Sequence, residues 1–342
     1  MMRSLFSAVS GLKSHQTAMD VIGNNIANVN TTGFKSSRTL FQDIYSQTIS
    51  AATAPTDTTG GVNAKQVGLG TQIASIDMNM TEGTTQTTSY PLDFSISGEG
   101  FFVIDNGDGT YSYTRNGAFQ LDANGYLVTA NGDYVMAVSV PEDENGDPDY
   151  SAIDNGASVI DVDTDTNTRT PKFGRIRLQG EVDVPEDIDG DDETILSIRY
   201  SEYAVDKYGV ITATKTVAIE KPVTDEDGDP LLDGEGNPIT TVVNETSVVQ
   251  VGRLVLATFD NSAGLEKIGQ SYYKESANSG AARYDFAGYN CGSLNPGSLE
   301  MSNVDLASEL TNMIIMQRGF QANSRVITTS DTMLEELINL KR

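Results

Sequence analysis

Two helical patterns at opposite ends of the chain constrain its fold more than any other feature. In the C-terminal pattern, predicted to span residues 304–341, one apolar column has a constant spacing of seven residues. Its members are Leu306, Met313, Phe320, Ile327 and Leu334. The N-terminal pattern has an equivalent column, formed by Leu5, Leu12, Met19 and Ile26. Because a repeat of seven is typical of coiled coils, the two ends are predicted to pair as helices and close the chain on itself.

The second column of each pattern is only partly apolar. Its polar and small members are Gln16, Gly23 and Asn30 near the N-terminus and Gln317, Ser324 and Asp331 near the C-terminus. A helix pair that was sealed on itself would be apolar in both columns. The polar column therefore favours contacts with neighbouring chains, and an ordinary helical hairpin packed on its own body is the alternative.

The charge of the chain excludes some classes of partner. The net charge is −26, from 48 acidic and 22 basic residues. Such a balance argues against nucleic acid or an anionic membrane surface as a partner. The acidic runs lie in the middle of the chain, at residues 142–149, 161–165, 181–193 and 225–235, whereas the terminal helices are nearly neutral.

Cysteine and histidine are too few for several kinds of site. Cys291 is the only cysteine and His15 the only histidine, so neither an internal disulfide nor a cysteine–histidine metal site can form. The sequence also lacks a run of 18 apolar residues and a continuous apolar signal segment, which predicts no membrane insertion and no cleaved signal peptide. Composition alone indicates a cytosolic protein.

The region between the helices is predicted to be β-rich. Residues 36–70 are interpreted as an extended connector because they contain mostly small and hydroxyl side chains. From residue 71 the apolar period changes to two, and Asn-Gly or Asp-Gly pairs indicate hairpin turns. These pairs are Asn106-Gly107 or Asp108-Gly109, then Asn116-Gly117, Asn124-Gly125 and Asn131-Gly132. The strand predicted at 248–259 would return the chain to this meander.

The predicted fold class is mainly β with paired terminal α-helices. Residues 1–35 and 299–342 form the helical coiled-coil domain, with a capping box of Ser302 and Asp305 at the start of the second helix. Residues 71–142 and 246–298 form a discontinuous first β domain. Residues 143–245 form a second, acidic β domain inserted in the first.

Each candidate chemical site in the sequence is explained better by an ordinary structural role. The acidic segments 187–191 and 225–229 suggest calcium, but Asp229 is followed by Pro230 where a calcium loop needs Gly, and no glutamate stands at position 12. Solvated turns are the preferred interpretation. His15 is expected to have a packing role and Cys291 to be an unreactive thiol. No enzyme site, metal site or cofactor is predicted.

Three segments resemble the bacterial flagellar axial family of rod and hook subunits. They are residues 20–35, residues 92–102 with 113–117, and residues 302–324 with 337–342. The residues that carry the terminal signatures are Asn24, Asn25, Ala27, Asn28, Thr32, Gly33, Phe34, Lys35, Asn303, Val304, Asp305 and Leu306. The central hundred residues match no known pattern.

The resemblance implies a structural subunit that polymerises through its terminal helices into a hollow, flexible tube that transmits motor torque to the filament. It implies as partners other copies of the chain, the neighbouring rod, hook-cap and hook–filament junction proteins, and the flagellar type III export apparatus. It also overrides the cytosolic interpretation, because such subunits are exported without a cleaved signal peptide. Within the family the inserted β domain favours the hook over the distal rod. A non-flagellar, acidic adhesion or calcium-binding module is the alternative from another class.

Overall fold

The computed structural model describes residues 2–56, 59–139, 160–162, 169–171, 173–178, 180–182, 194–222 and 240–340. Within them the chain is mainly β, with one long helix near each end. The chain divides into two units, Met1–Gly83 together with Ser302–Arg342, and Thr84–Met301. The acidic loops 187–191 and 225–229 lie outside the described residues, so the calcium interpretation stays a hypothesis.

The first unit combines both helices with four strands. Its elements are α1 (Met2–Ala27), β1 (Ser37–Asp43), β2 (Ser46–Ser50), β3 (Lys65–Gly68), β4 (Thr71–Met78) and α2 (Leu306–Asn339). Neither helix contains a proline, which allows both to run without a break. After α1 the chain turns at Gly33, whose φ of 67° is a conformation that favours glycine.

The start of α2 differs from the predicted capping box. Asp305 is the N-cap residue, and its side chain accepts hydrogen bonds from Ala307 N (3.0 Å) and Ser308 Oγ (2.6 Å). Ser302 lies before the helix, where its Oγ accepts a long bond from Val304 N (3.4 Å). A carboxylate satisfies the free N–H groups of a first helical turn and opposes the helix dipole favourably, so one aspartate replaces the predicted pair.

Residues 36–70, predicted as an extended connector, contain three strands. β1 pairs antiparallel with β4, and β2 pairs antiparallel with β3. Because β4 pairs with β1, residues 71–83 group with the helices and not with the rest of the β structure. The β1–β4 pair lies on α1, where Ser10 Oγ accepts from Thr71 N (3.2 Å) and Ser14 Oγ donates to Thr71 O (3.2 Å).

The second unit contains the other strands of the described chain. They are β5 (Thr85–Thr87), β6 (Phe94–Ser97), β7 (Phe101–Asp105), β8 (Tyr111–Thr114), β9 (Phe119–Leu121), β10 (Leu127–Thr129), β11 (Tyr134–Ser139), β12 (Ile160–Val162), β13 (Arg169–Pro171), β14 (Gly174–Arg175), β15 (Gly180–Val182), β16 (Thr194–Val205), β17 (Val210–Pro222), β18 (Thr240–Thr258), β19 (Glu266–Gly269), β20 (Tyr272–Lys274), β21 (Arg283–Phe286), β22 (Ser293–Pro296) and β23 (Ser298–Glu300). A short 3-10 turn at Ser262–Gly264 precedes β19.

Most of these strands belong to one antiparallel sheet with the order β15-β16-β17-β18-β11-β7-β8-β20-β19. β18 is its longest strand, and it includes most of the segment 248–259 predicted to return to the meander. Its first part pairs with β17, and its last part pairs with β11, β7 and β21. The described residues of 143–245 therefore continue the same sheet in β14, β15, β16 and β17.

The core of the second unit lies where β6, β7, β11 and the end of β18 pack together. Its largest fully buried side chains include Phe94, Phe102, Phe119 and Ile104. A buried ion pair joins Arg115 Nη1 to Glu300 Oε2 at 3.3 Å, and the same guanidinium donates from Nη2 to Gly98 O (2.9 Å). This pair ties the loop after β8 to β23.

Four of the predicted turn glycines have the expected backbone. Gly107, Gly109, Gly125 and Gly132 have φ values between 81° and 91°. The turn predicted at Asn116-Gly117 is wrong, because Gly117 does not have a positive φ. Its carbonyl accepts a hydrogen bond from Phe94 N (3.0 Å), and a Cβ at this position would collide with the carbonyl oxygen of Phe94. The glycine is needed there for a close approach of two backbones.

Candidate functional site: the terminal helix pair

α1 and α2 lie antiparallel in the first unit, and three contacts define their alignment. Asn25 Nδ2 donates to Glu309 Oε1 (3.3 Å). His15 Nδ1 lies 3.3 Å from Met316 Sδ. The side chain of Asn323 lies against Gly11. Asn25 and Gly11 are fourteen residues apart on α1, and their partners Glu309 and Asn323 are fourteen residues apart on α2. The alignment of the two helices is therefore constant between these contacts.

Each helix has one glycine that receives a polar side chain from the other helix. A Cβ built on Gly11 would lie 2.5 Å from Asn323 Nδ2, and a Cβ built on Gly319 would lie 2.8 Å from His15 Cε1 and Nε2. Gly11 and His15 are four residues apart on α1, as Gly319 and Asn323 are on α2. The two contacts are therefore reciprocal, and we call Gly11 and Gly319 the glycine notches.

The apolar column predicted for α1 lies beside the buried face of the helix and not at its centre. Leu5, Leu12, Met19 and Ile26 are half-buried. The fully buried positions of α1 are Ala8, Gly11, Ser14, Ala18, Ile22 and Asn25. Most of them are small, which allows the neighbouring elements to approach closely. Their spacing of three and four residues was the available signal, but an analysis of hydrophobicity does not detect Gly, Ser or Asn as buried.

The apolar column predicted for α2 lies on the side of α2 that faces α1 along most of its length. Met313, Phe320, Ile327 and Leu334 are half-buried, whereas Leu306 is exposed. The other less exposed positions of α2 are Gly319 and a column that the sequence analysis missed, formed by Glu309, Met316, Asn323 and Ser330. The predicted polar column of Gln317, Ser324 and Asp331 is exposed. Its role in contacts with a neighbouring chain stays a prediction.

A cluster of polar residues, here called the polar junction, joins the end of α1 to the start of β1 and to α2. Its members are Asn25, Lys35, Ser36, Ser37, Asn303 and Glu309. Asn25 is fully buried, and its Nδ2 donates to Ser37 O (2.7 Å) while its Oδ1 accepts from Ser37 N (3.0 Å). The same amide group donates to Glu309, so this one side chain of α1 contacts both β1 and α2.

Asn303 makes the corresponding contacts just before α2. Its Oδ1 accepts from Ser36 N (2.8 Å), and its Nδ2 donates to Asn79 O (2.8 Å) and Thr81 O (3.2 Å). Its backbone N also donates to Phe34 O (3.4 Å). The amide side chain therefore bridges the segments that leave α1, follow β4 and enter α2.

Lys35 is a buried cation within the polar junction. Its side chain is only 1% exposed, and its Nζ donates to Thr81 O (2.7 Å). Burying an ammonium group is costly unless it is hydrogen-bonded, so the position requires the acceptors that the loop after β4 supplies. Thr81 O thus accepts bonds from both Lys35 and Asn303.

The other signature residues have simpler positions. Asn28 Nδ2 donates to Asn24 Oδ1 (3.0 Å) and to Asn24 O (2.9 Å) on the last turn of α1. Phe34 and Gly33 are buried in the turn that follows. Ala27 and Leu306 are exposed, Thr32 and Val304 are half-buried, and Asp305 caps α2. The structure thus brings Asn25, Phe34, Lys35 and Asn303 together but leaves Ala27 and Leu306 at the surface.

Glu309 is the electrostatically unusual member of the polar junction. Burial raises the pKa of its carboxyl group, the nearby carboxylate of Asp305 raises it further, and the hydrogen bond from Asn25 lowers it. Its Oε2 is buried and has no hydrogen-bond partner. A carboxylate with one unsatisfied buried oxygen opposes folding at neutral pH.

Many large apolar side chains of the first unit remain exposed. On α2 and its C-cap they are Leu306, Leu310, Ile314, Ile315, Val326, Met333, Leu337, Ile338 and Leu340. On the β1–β3 region they are Leu40, Phe41, Ile44, Tyr45, Ile49, Val62 and Val67. Extended apolar surface of this kind marks a contact with another protein chain or with a membrane.

No helix of the described chain is long and apolar enough to cross a membrane. Among the described residues, no group of three or more histidine, cysteine, aspartate or glutamate side chains is placed to hold a metal ion. The site is thus characterised by its packing surfaces and by its hydrogen-bonded polar junction.

Comparison with known proteins agrees with the position of these features. Residues 5–35 match the family described as flagella basal body rod protein, residues 95–213 match the flagellar hook protein FlgE/F/G D1 domain, and residues 295–340 match the flagellar basal body rod FlgEFG protein C-terminal family. The chain belongs to the flagellar hook and basal-body rod family. It is a structural subunit of that part of the bacterial flagellum.

The relatives cover the whole chain. The flagellar basal-body rod protein FlgG of Bacillus subtilis is 39% identical over 345 residues, with 100% of both chains covered. The flagellar hook proteins FlgE of Treponema pallidum and Borreliella burgdorferi are 35% identical over 466 residues and 33% identical over 442 residues, again with 100% of both chains covered. The crystal structure of Helicobacter pylori hook protein FlgE2 aligns with 63% of this chain and 100% of that chain, at 12% identity and a TM-score of 0.28, which is too low for a comparison of folds.

Proposed function

We propose that this chain is a flagellar hook subunit that polymerises through its terminal helices into a hollow, flexible tube and transmits motor torque to the filament. Two relatives named hook proteins align with the full chain, which supports the hook within the family. The observation that carries the proposal of self-assembly is the exposed apolar surface of α2, because this surface has no cover within the described chain.

The domain organisation in the tube follows from the same proposal. Residues 1–35 and 299–342 form a coiled-coil core, in which the side chains of the two apolar columns pack one helix against the other within a subunit. Gln317, Ser324 and Asp331, which are exposed, face the next subunit or the channel. Residues 143–245 form an inserted acidic domain, whose high negative charge is compatible with solvent.

The partners and the location extend this proposal. In a hook the subunit contacts other copies of itself, the rod below, the hook cap during growth and the hook–filament junction proteins above. The type III export apparatus would deliver it, without a cleaved signal peptide, to an extracellular position in the flagellum.

A distal rod subunit is the second candidate. The specific observation in its favour is the match to Bacillus subtilis FlgG over 345 residues, close to the 342 residues of this chain. The hook proteins align over more than 440 residues, so they contain segments that this chain lacks. Because this FlgG aligns with the whole chain, the segment 143–245 does not distinguish the two candidates, and the relatives named hook proteins are what favours the hook.

Electron microscopy of polymers assembled from the purified chain distinguishes the two candidates. A hook subunit is expected to give curved tubes, whereas straight rigid rods would assign the chain to the rod. A second sample lacking residues 1–30 and 302–342 tests the role of the termini. It is expected to be a soluble, folded β monomer, and tubes formed by this truncated chain would contradict assembly through the helices.

A further inference from the structure

The apolar column of α2 does not by itself determine how α1 and α2 are aligned. Met313, Phe320, Ile327 and Leu334 recur every seven residues, so a slip of seven residues in either direction would replace all of them but Leu334 with another apolar side chain. An apolar repeat therefore permits several alignments of similar energy. The single alignment that the structure shows must be selected by contacts that do not repeat.

The contacts at the glycine notches do not repeat. Opposite His15, the observed alignment places Gly319, and the imidazole occupies the space that a side chain would fill. After a slip of seven residues, Asn312 or Val326 would occupy that position. Either side chain would displace the imidazole from this position, because even a Cβ atom at Gly319 would lie 2.8 Å from the end of the His15 side chain.

The second notch adds an independent constraint. Asn323 lies over Gly11, and a slip of seven residues would place Met316 or Ser330 there instead. Asn323 would move opposite Ser4 or Ala18, away from the only position on α1 that lacks a side chain and faces it. The contact between His15 Nδ1 and Met316 Sδ would also be lost.

We propose that His15, Asn323 and the two glycine notches, together with the bond from Asn25 to Glu309, set the register of α1 against α2, and that this register determines how far α2 extends beyond α1. In the observed register Met2 lies opposite Thr332, and α2 continues for seven residues to Asn339, about 10 Å. This extension, with the C-cap, carries the exposed side chains of Met333, Leu337, Ile338 and Leu340.

The register controls whether this apolar extension is accessible. A slip of seven residues in one direction would place Met2 opposite Asn339 and cover the extension with α1. A slip in the other direction would double its length. The consequence for assembly, which rests on the proposed function, is that only the observed register presents an extension of this length to a second copy of the chain.

Cysteine cross-linking in the full-length chain measures the register directly. In a Cys291→Ser background, Ala8→Cys is combined with Ile327→Cys, which reports the observed register. In two further proteins it is combined with Phe320→Cys or Leu334→Cys, which report slips of seven residues in either direction. A short bismaleimide links the thiols in the monomer, and mass spectrometry quantifies the linked product.

The parent chain is expected to link only the pair at positions 8 and 327. When His15→Ala and Asn323→Ala are added, the pairs at 8 and 320 or at 8 and 334 are expected to link in measurable yield beside the pair at 8 and 327, with the helical circular dichroism retained. Exclusive linking of 8 to 327 in this variant would overturn the proposal. So would a complete loss of linking, because the residues would then be needed for pairing and not for register.

Gln16→Ala with Ser324→Ala is the matched control. These residues directly follow His15 and Asn323 in the sequence, and both side chains are exposed. This control is expected to link only 8 to 327. Polymer assembly is then compared for the unlinked chains by sedimentation. A slipped variant that polymerises as well as the parent would disprove the link between register and assembly, whereas a parent that never polymerises would count against the proposed function alone.

Discussion

Asn25 and Ser37 exchange two hydrogen bonds, from Asn25 Nδ2 to Ser37 O at 2.7 Å and from Ser37 N to Asn25 Oδ1 at 3.0 Å. The pair joins the last turn of α1 to the first residue of β1. Because Asn25 also donates to Glu309 on α2, the bend after α1 and the helix pair depend on one buried amide side chain. The asparagine-rich signature thus has a structural role that its apolar neighbours cannot supply.

Asn25→Ala is expected to destabilise the first unit by about 2–4 kcal/mol, since it removes both hydrogen bonds to the backbone of Ser37 and the bond to Glu309. Denaturant unfolding followed by circular dichroism at 222 nm measures this unit, because both long helices belong to it. Asn24→Ala is the matched control, with the same gain in helix propensity at an exposed position. Equal stability of the two variants would refute the role assigned to Asn25.

Asn303→Ala is expected to have a similar cost, about 2–4 kcal/mol, because it removes the partner of Ser36 N and two bonds to the loop after β4. The variant should also increase hydrogen exchange at Ser36 and at the residues around Thr81. Asn312→Ala, at an exposed position of α2, provides the comparison. Unchanged exchange at these positions would show that the bridge contributes little.

Glu309→Gln is expected to stabilise the first unit at pH 7 and to flatten its dependence on pH. The pKa of Glu309 is raised in the folded state, mainly by burial, so the folded state binds the proton more tightly than the unfolded state. Its contribution to stability is complete below the ordinary pKa of 4.5 and is lost as pH rises through the raised pKa.

Unfolding free energies of the parent and of Glu309→Gln between pH 4 and pH 8, at intervals of about one unit, test this expectation. Asp305 has the opposite effect on the pH dependence of stability, because the hydrogen bond from Ser308 lowers the pKa of its carboxyl group. Asp305 is present in both proteins, so its effect cancels in the comparison. Glu335→Gln, at an exposed position of α2, is the control. A parallel pH profile for parent and Glu309→Gln would show that the buried carboxylate has no energetic effect.

Cys291 is expected to resist alkylation in the folded chain. Burial, followed by the charge of Asp285, raises the pKa of its thiol to about 12, and its Sγ donates to Phe286 O at 2.9 Å. Reaction with iodoacetamide at pH 8 should therefore occur only after the second unit unfolds. Labelling across a urea gradient, detected by mass, would follow that unfolding, and rapid labelling without urea would contradict the assigned burial.

The helix pair could be predicted from the sequence because the seven-residue spacing is a local property of each helix. The columns in α1 were displaced by one position because Ala8, Gly11, Ser14 and Ala18 are buried for their small size, which an apolar pattern does not record. In α2 the apolar side chains are large, so Met313, Phe320, Ile327 and Leu334 lie on the predicted face.

The strands β2 and β3 could not be predicted by the same reasoning. Their side chains are almost all exposed, so no alternation between buried and exposed residues marks them, and backbone pairing alone defines the hairpin. At Gly117 a local signal was present, but it predicted the wrong conformation. The Asn-Gly pair predicts a turn, but the approach of Phe94, far away in sequence, determines its conformation. Contacts between distant segments are not present in a local pattern.

Phe320→Asp is expected to abolish polymer assembly while the second unit remains folded. Phe320 is half-buried at the middle of the α2 column, and a carboxylate there would be desolvated against α1 without a partner, at a cost of about 2–4 kcal/mol. Negative-stain microscopy and sedimentation measure assembly, and protection of Cys291 from alkylation reports whether the second unit is intact. Gln321→Asp places the same charge one residue away at an exposed position and should assemble normally. Normal polymers from Phe320→Asp would show that the column of Met313, Phe320, Ile327 and Leu334 is not needed for assembly, whereas reactive Cys291 would show that the substitution had unfolded the second unit as well.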